Sequence, residues 1–407
     1  MKVVHLGMGV VPVPPGDEAV GVEMHICELT KHLAQLGCQV HVIDIKGGTQ
    51  QREKRRESLA KFYEVWHPPL PHRYNSPFLQ HFRNYLLIMS QSVLFALLSL
   101  LPLFALLGKE KIEVIHTHNR DAAIAAILVN KLRQKPAVVI YCPQGAFGLK
   151  KLAWRKKLIN FVEMPALKWV DHVVALTPAV KRWLVSEFHL AQAKITPIHS
   201  GVALDEVRLF LSQKTGVCHQ SNIVLCTGVI SSRKNQLTAV KVIPQVVATH
   251  PEVKFVFAGP VGEAKYFDSI QRFITENDLF RWVEFKGLVT KQELYNLYSD
   301  AILFLFPSTA EVQPSTLIEA LAFGLPVIAS DIGPISDVVS EGKGSAILVD
   351  SYDVGGMATA IIRLLENVSL RQTMSQRAKE LGQTFSYEHI AMQTLVLYNQ
   401  LVQNKKK

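Results

Sequence analysis

Short β-branched runs alternate with stretches of helical period along most of the chain, the rhythm of parallel strands joined by helical crossovers. In the first half the pattern predicts strands near Lys2 to Leu6, Gln39 to Asp44, Phe62 to Trp66, Glu113 to Thr117, Ala137 to Cys142, His172 to Thr177 and Lys194 to Ser200. The second half repeats it near Asn222 to Thr227, Lys254 to Gly259, Val283 to Gly287, Ala301 to Phe306, Val327 to Ser330 and Ala346 to Val349. The expectation is an α/β chain of two doubly wound, Rossmann-like domains. Ligands of such sheets bind outside the carboxyl ends of the strands, so two facing sheets would hold a substrate in a central cleft. The stretch from Asp205 to Ser221 reads as the linker, because it shows neither a period nor a sustained apolar face.

Two helical stretches raise the question of a membrane. Leu86 to Leu107 runs 22 residues without a charge, long enough to span a bilayer. The strand-like runs on either side of it look like neighbours in one sheet, which a true span would separate. Ser90, Gln91, Ser92, Ser99 and Pro102 also dilute it, so the reading is a buried or interface-lying helix. Lys150 to Val162 combines five cations with Leu158, Phe161 and Val162 at helical spacing. Such a helix either lies on anionic lipid or packs on its sheet with a wet basic face; beside the uncharged stretch, the lipid reading is preferred.

Composition narrows the class. A length of 407 residues with 48% apolar and 19% charged residues suits two globular domains and excludes a disordered or fibrous chain. Five cysteines without a CxxC pair or zinc-ligand spacing point to a reducing, cytosolic setting. The first fifteen residues lack the features of a signal peptide and read as mature protein. The formal charge of +10 favours an anionic partner, whether a phosphate-bearing ligand, nucleic acid or an acidic lipid surface.

The chemistry concentrates between Ala301 and Val339. A strand leads through Pro307-Ser308-Thr309 and Glu311 to a helix starting at Pro314-Ser315-Thr316-Leu317, with Gly324 just past its end. That helix start offers unpaired N–H groups to a phosphate, and Glu311 and Glu319 flank it as acceptors for sugar hydroxyls. A phosphate between two hydroxyl-binding carboxylates describes a nucleotide sugar. The loop Gly228 to Gln236, with Arg233 and Lys234, follows a strand and can neutralise a diphosphate. His116-Thr117-His118-Asn119 ends another strand, and Gly21-Val22-Glu23 opens a helix after a long loop. There is no Asp-x-Asp, and no histidine and carboxylate cluster offers a metal cage.

The run from Pro307 to Ser330, with Glu311 and Glu319 eight residues apart, resembles the E-x7-E region of the GT-B glycosyltransferases of family 4, also called group 1. The resemblance covers essentially the full length. It implies that Glu311 contacts the donor sugar and Glu319 the ribose, and that Lys234 binds phosphate. Arg233 supplies the charge missing at Val229, where the family usually has arginine. It matches His118 to the second histidine of the family's H-x-H, beside the donor sugar, and Gly21 to a glycine-rich donor loop. Gln144 stands where many relatives have a histidine and is expected to meet the acceptor. The catalytic set implied is His118, Glu311 and Lys234; the donor set is Gly21, Arg233, Lys234, Glu311, Ser315, Thr316, Leu317 and Glu319.

By the same resemblance the final helix, about Phe385 to Val402, crosses back to complete the first domain. This gives an acceptor domain of residues 1–205 with 385–407 and a donor domain of residues 206–384. The implied activity is retaining transfer of a hexose-type sugar from a nucleoside diphosphate sugar to a saccharide or lipid-linked saccharide, in envelope polysaccharide or lipopolysaccharide assembly. No metal, cofactor or nucleic-acid partner is expected. The location expected is cytoplasmic, peripheral on the inner face of the membrane. Two other readings share the fold: a sugar-nucleotide epimerase, and a non-catalytic module that binds a sugar nucleotide or a membrane.

Overall fold

The computed structural model describes residues 1–9, 11–13, 21–66, 79–133, 136–144, 163–214, 221–340, 342 and 344–406, without the side chains of 79–89. The basic stretch Lys150 to Val162 lies outside the described residues. The chain divides into two compact units, Met1–Ser200 with Tyr387–Lys407, and Gly201–Ser386.

Unit 1 is built on a seven-stranded parallel sheet of order β3-β2-β1-β4-β5-β6-β7. Its strands are β1 (Lys2–Leu6), β2 (Gln39–Ile45), β3 (Lys61–Val65), β4 (Val114–Thr117), β5 (Val138–Tyr141), β6 (His172–Ala175) and β7 (Ile195–Pro197). Unit 2 has a six-stranded parallel sheet of order β10-β9-β8-β11-β12-β13. Its strands are β8 (Ile223–Thr227), β9 (Lys254–Ala258), β10 (Val283–Gly287), β11 (Leu303–Phe306), β12 (Val327–Ser330) and β13 (Ala346–Val349). All thirteen expected strands are present, several shorter at their ends. Each order reverses at its centre, between β1 and β4 and between β8 and β11, which is where doubly wound sheets open a ligand crevice.

The central strands are buried on both faces, and so read as continuous apolar runs. In β11 the alternation splits the core into two layers: Phe304 and Phe306 pack on one side of the sheet, Leu303 and Leu305 on the other.

The stretch taken for a structureless linker begins with a helix, Leu204–Gln213. Leu204, Val207 and Phe210 are buried along one stripe, and Phe210 meets Tyr295 and Phe323 edge-on at 5.6 and 5.9 Å. The spacing i, i+3, i+6 carries an apolar face that the polar residues between it concealed.

The uncharged stretch lies in the helix Leu79–Lys109, and Ser90–Lys109 is apolar and long enough to cross a membrane. The strands before it and after it share one parallel sheet, so the helix is the crossover between β3 and β4. Phe95, Ala96, Ser99, Leu103 and Leu106 are buried, and the helix packs on the neighbouring helix Arg120–Lys131. Its other face stays open, with Leu101 79% and Leu97 59% exposed beside Val93 and Phe104. The final helix, Tyr387–Lys406, returns to unit 1 and packs on the helix Gly21–Gln35, with Lys405 Nζ bonded to Asp171 at 2.8 Å.

Candidate active site

In unit 2 the loop after β8 turns sharply at Gly228, whose φ of +127° favours glycine. The turn is tight because Gly259, at the end of β9, sits where an added Cβ would lie 2.2 Å from the Gly228 carbonyl oxygen. The chain then climbs to Asn235, in the left-handed region at φ 57°, before the helix Gln236–Val247 begins. Buried Asn235 donates from Nδ2 to the carbonyls of Pro307 at 3.1 Å and Ser351 at 2.7 Å, which ties together the loops that follow β8, β11 and β13.

This frame brings two cations onto one carboxylate. Lys234 Nζ lies 2.7 Å from Glu311 Oε1, and Arg233 Nη1 lies 3.1 Å from Glu311 Oε2. Arg233 Nη1 also donates to the Ala310 carbonyl at 3.0 Å, while its own carbonyl accepts from the backbone N–H of Thr309 at 2.8 Å. Lys234 sits over the Phe306 ring at 4.8 Å. Glu311 is almost wholly shielded from water, with 4% of its side chain exposed, so it needs both cations; Arg233 at 36% is the more accessible of the two.

The helix Ser315–Ala322 starts beside them at Pro314 and carries no side-chain cap. Ser315 N–H donates to the Gln313 carbonyl at 3.1 Å and Leu317 N–H to the Pro314 carbonyl at 3.0 Å, so in the first turn the N–H of Thr316 is the group left for an anion among the described residues, and the buried hydroxyls of Thr316 and Ser308 have no partner there either. One turn on, Tyr298 donates to Glu319 Oε2 at 2.9 Å, and the Thr227 hydroxyl lies 3.3 Å from the same phenol oxygen. Burial raises the Glu319 carboxyl above its usual range, the Tyr298 bond opposing it. Tyr298 thus fixes one carboxylate oxygen and leaves Oε1 for a ligand. Arg233, Lys234, Glu311, Ser315, Thr316, Leu317 and Glu319 all belong to this unit, although the Leu317 side chain is buried in the core and its N–H already donates to the Pro314 carbonyl at 3.0 Å.

Unit 1 contains the other expected residues, His118 and Gly21. Gly21 opens its helix with nothing within 4 Å of an added Cβ, so packing inside the protein does not require glycine there. His118 is buried in a cluster that the sequence reading, which expected no histidine cage, did not foresee. The β1 and β4 register sets His5 opposite His116, and His118, two residues on, shares that face. His5 Nδ1 and His118 Nε2 are 3.1 Å apart, and the His116 and His118 rings stack at 4.6 Å. His5, His116 and His118 nitrogens fall within 4.8 Å of one another, so the three residues are a possible metal-ligand set. The His5–His118 contact has the length of a hydrogen bond, and a shared proton there occupies the lone pairs an ion would need.

The rest of this cluster comes from two helices. Tyr398 on the final helix bonds His116 Nδ1 at 2.6 Å and His5 Nε2 at 3.4 Å, while His25 stands edge-on to His118 and bonds Ser200 Oγ at 2.8 Å. Burial lowers all four rings: His5 to about 3, His25 to about 4, and His116 and His118 well below their usual value. Gln144, three residues past β5, has one hydrogen bond among the described residues, from Nε2 to Cys142 Sγ at 3.4 Å. Sequence reasoning missed Tyr298, Asn235, His5 and Tyr398 as site residues. A tyrosine at helical spacing or a histidine within a strand reads as core until the register is known.

Two family models match in tandem, Glycosyltransferase Family 4 over residues 20–206 and Glycosyl transferases group 1 over residues 207–381. With two parallel sheets, each reversing its strand order at the centre, the chain belongs to the family 4 glycosyltransferases of GT-B fold. The D-inositol 3-phosphate glycosyltransferase of Nocardioides sp. is 27% identical over 252 residues, 58% of this chain and about half, 55%, of that protein. The Escherichia coli UDP-Gal:alpha-D-GlcNAc-diphosphoundecaprenol alpha-1,3-galactosyltransferase is 23% identical over 278 residues, 66% of this chain and 70% of the relative. The solved structure of Anabaena Alr3699/HepE in complex with UDP-glucose superposes with a TM-score of 0.71 at 15% identity, over 98% of this chain and 100% of that one.

Proposed function

We propose that this protein transfers a hexose-type sugar, with retention, from a nucleoside diphosphate sugar to a hydroxyl of a saccharide or lipid-linked saccharide in envelope polysaccharide or lipopolysaccharide assembly. The observation that carries this reading is the convergence of Lys234, Arg233 and Glu311 beside an uncapped helix start. A diphosphate entering there takes over the two cations and the Thr316 N–H, which stabilise the charge that grows on it as the sugar bond breaks. Glu311, released from its ion pairs, becomes an acceptor for a sugar hydroxyl, and Glu319 Oε1 one for the ribose. The site supplies its own positive charge, so the reaction is read as metal-independent. The leaving phosphate then helps to take the proton of the acceptor, and no protein nucleophile is required. His118, at the end of β4, is assigned to the sugar. The acceptor domain is read as unit 1 and the donor domain as unit 2.

A lipid-linked acceptor fits the open apolar face of the Leu79–Lys109 helix. Leu128 and Leu132 are exposed on the adjoining segment, and the Arg133 guanidinium lies 4.4 Å above the Phe104 ring. Such a surface suits peripheral attachment to an anionic leaflet on the cytoplasmic side. The named Escherichia coli relative acts on a diphosphoundecaprenol-linked sugar.

The test is calorimetry of UDP, GDP and ADP and their sugars, followed by incubation of the tightest-binding donor alone and with saccharide and lipid-linked acceptors. Binding of one nucleotide series and acceptor-dependent transfer are expected. A sugar isomer formed without acceptor identifies an epimerase instead, and absence of any nucleotide binding overturns the reading.

A further inference from the structure

We infer that Tyr398 is a positioning residue: acting through His5, it fixes His118 in the tautomer with its proton on Nε2, leaving Nδ1 as the acceptor for a substrate hydroxyl. The inference rests on the assignment of His118 to the sugar and adds what orients it. All three rings are buried and neutral, so each has one donor nitrogen and one acceptor. Their hydrogen bonds form one chain, His116 Nδ1 to Tyr398 Oη to His5 Nε2, then His5 Nδ1 to His118 Nε2. A neutral chain of this kind has two proton arrangements, each the reverse of the other, and assigning one bond assigns the rest.

The distances decide between them. Tyr398 Oη lies 2.6 Å from His116 Nδ1, shorter than an N–H donor normally reaches and normal for a hydroxyl donor. The 3.4 Å to His5 Nε2 is too long for a hydroxyl donor and tolerable for a weak N–H bond. The phenol therefore donates to His116 and accepts from His5 Nε2–H. His5 Nδ1 is then an acceptor, and the 3.1 Å bond carries the proton of His118 Nε2. These proton positions are assigned from the heavy-atom geometry. His118 Nδ1 is left as a buried lone pair without a donor, and His116 Nε2–H, at the other end of the chain, as a buried donor without an acceptor, among the described residues. An acceptor in that condition is satisfied when a hydroxyl arrives, and the reversed chain would present an N–H in its place.

The experiment is histidine nitrogen-15 NMR of the full-length protein, with His118 assigned by its loss in His118→Gln. In the unaltered protein the expected pattern is His118 protonated on Nε2; finding the proton on Nδ1 overturns the inference without any variant. In Tyr398→Phe, His5 Nε2–H loses its acceptor, and the His118 signals are expected to move to a mixture of the two tautomers. Turnover of the donor found by calorimetry is expected to fall five- to tenfold, with the affinity for its free nucleoside diphosphate unchanged. Thr394→Val, on the same helix and deprived of its bond to the Ile390 carbonyl, should lower stability and leave the His118 signals in place. An unmoved His118 spectrum in Tyr398→Phe overturns the role of Tyr398. A moved spectrum with unchanged turnover upholds that role and overturns the assignment of His118 to the sugar.

Discussion

The two units place their most unusual residues at the same topological position, the strand ends beside the point where the sheet order reverses, yet they fill it with opposite chemistry. Unit 2 gathers full charges: two cations on one shielded carboxylate. Unit 1 gathers rings that burial keeps uncharged. Under the proposed function the ion cluster is exchangeable, an incoming diphosphate replacing Glu311 as the partner of Lys234 and Arg233. The imidazole cluster admits a charge only at high cost, and its specificity lies in which nitrogen carries a proton. One topology thus supports an ion cluster in one unit and an uncharged, hydrogen-bonded cluster in the other.

The sharpest break of this contrast is Glu311→Ala. Sugar transfer is expected to drop roughly 10²–10³-fold, the loss typical of one key polar contact to a transition state. Calorimetry should show the free nucleoside diphosphate binding at least as tightly as before, because both cations are released from that carboxylate. Loss of nucleotide binding in this variant would show that Glu311 builds the phosphate seat.

Acid should separate the units next. A folded histidine held at about 4, as His25 is, binds its proton later than the unfolded chain, which does so near 6.5. Its contribution to stability is complete above about pH 6.5 and is lost as pH falls towards 4, by ~3 kcal/mol for that one ring. Glu319 has the opposite sign, since its raised folded value favours the fold at lower pH. Hydrogen exchange measured at pH 7 and pH 5 should show protection falling more in unit 1 than in unit 2.

A smaller effect is expected for Asn235→Ala, which strands the Pro307 and Ser351 carbonyls at a cost of about 1–3 kcal/mol and loosens the Lys234 loop. Denaturant unfolding would measure the loss. Smallest is Leu101→Gln on the open helix face, expected to weaken binding to anionic vesicles by about 1 kcal/mol, roughly fivefold, with turnover of a soluble acceptor unchanged. Sedimentation with vesicles at low salt gives the readout.

What could be read from the sequence follows the range of the interactions. Every strand was legible: the central ones because burial on both faces writes them as local apolar runs, and the edge strand β10 because apolar and polar residues alternate along it. The run from Pro307 to Glu319, proposed as the phosphate seat, could be singled out because its parts are consecutive in the chain. The helix Leu204–Gln213 was obscured because its buried stripe depends on three residues, with an exposed Leu209 and charged residues set among them. The histidine cluster was hidden altogether. His5 meets His116 through strand register, and Tyr398 arrives from 282 residues beyond His116. No local period encodes such a meeting.

The placement of Tyr398 also bears on how the protein is made. The ribosome emits the seven strands of unit 1 early, but the helix that covers their histidines follows only after all of unit 2 has been synthesised. Until then the helix Gly21–Gln35 of the nascent unit 1 lacks the helix it packs on, and His25 and His32 lack the ring of Tyr387. The domain begun first is therefore the one completed last.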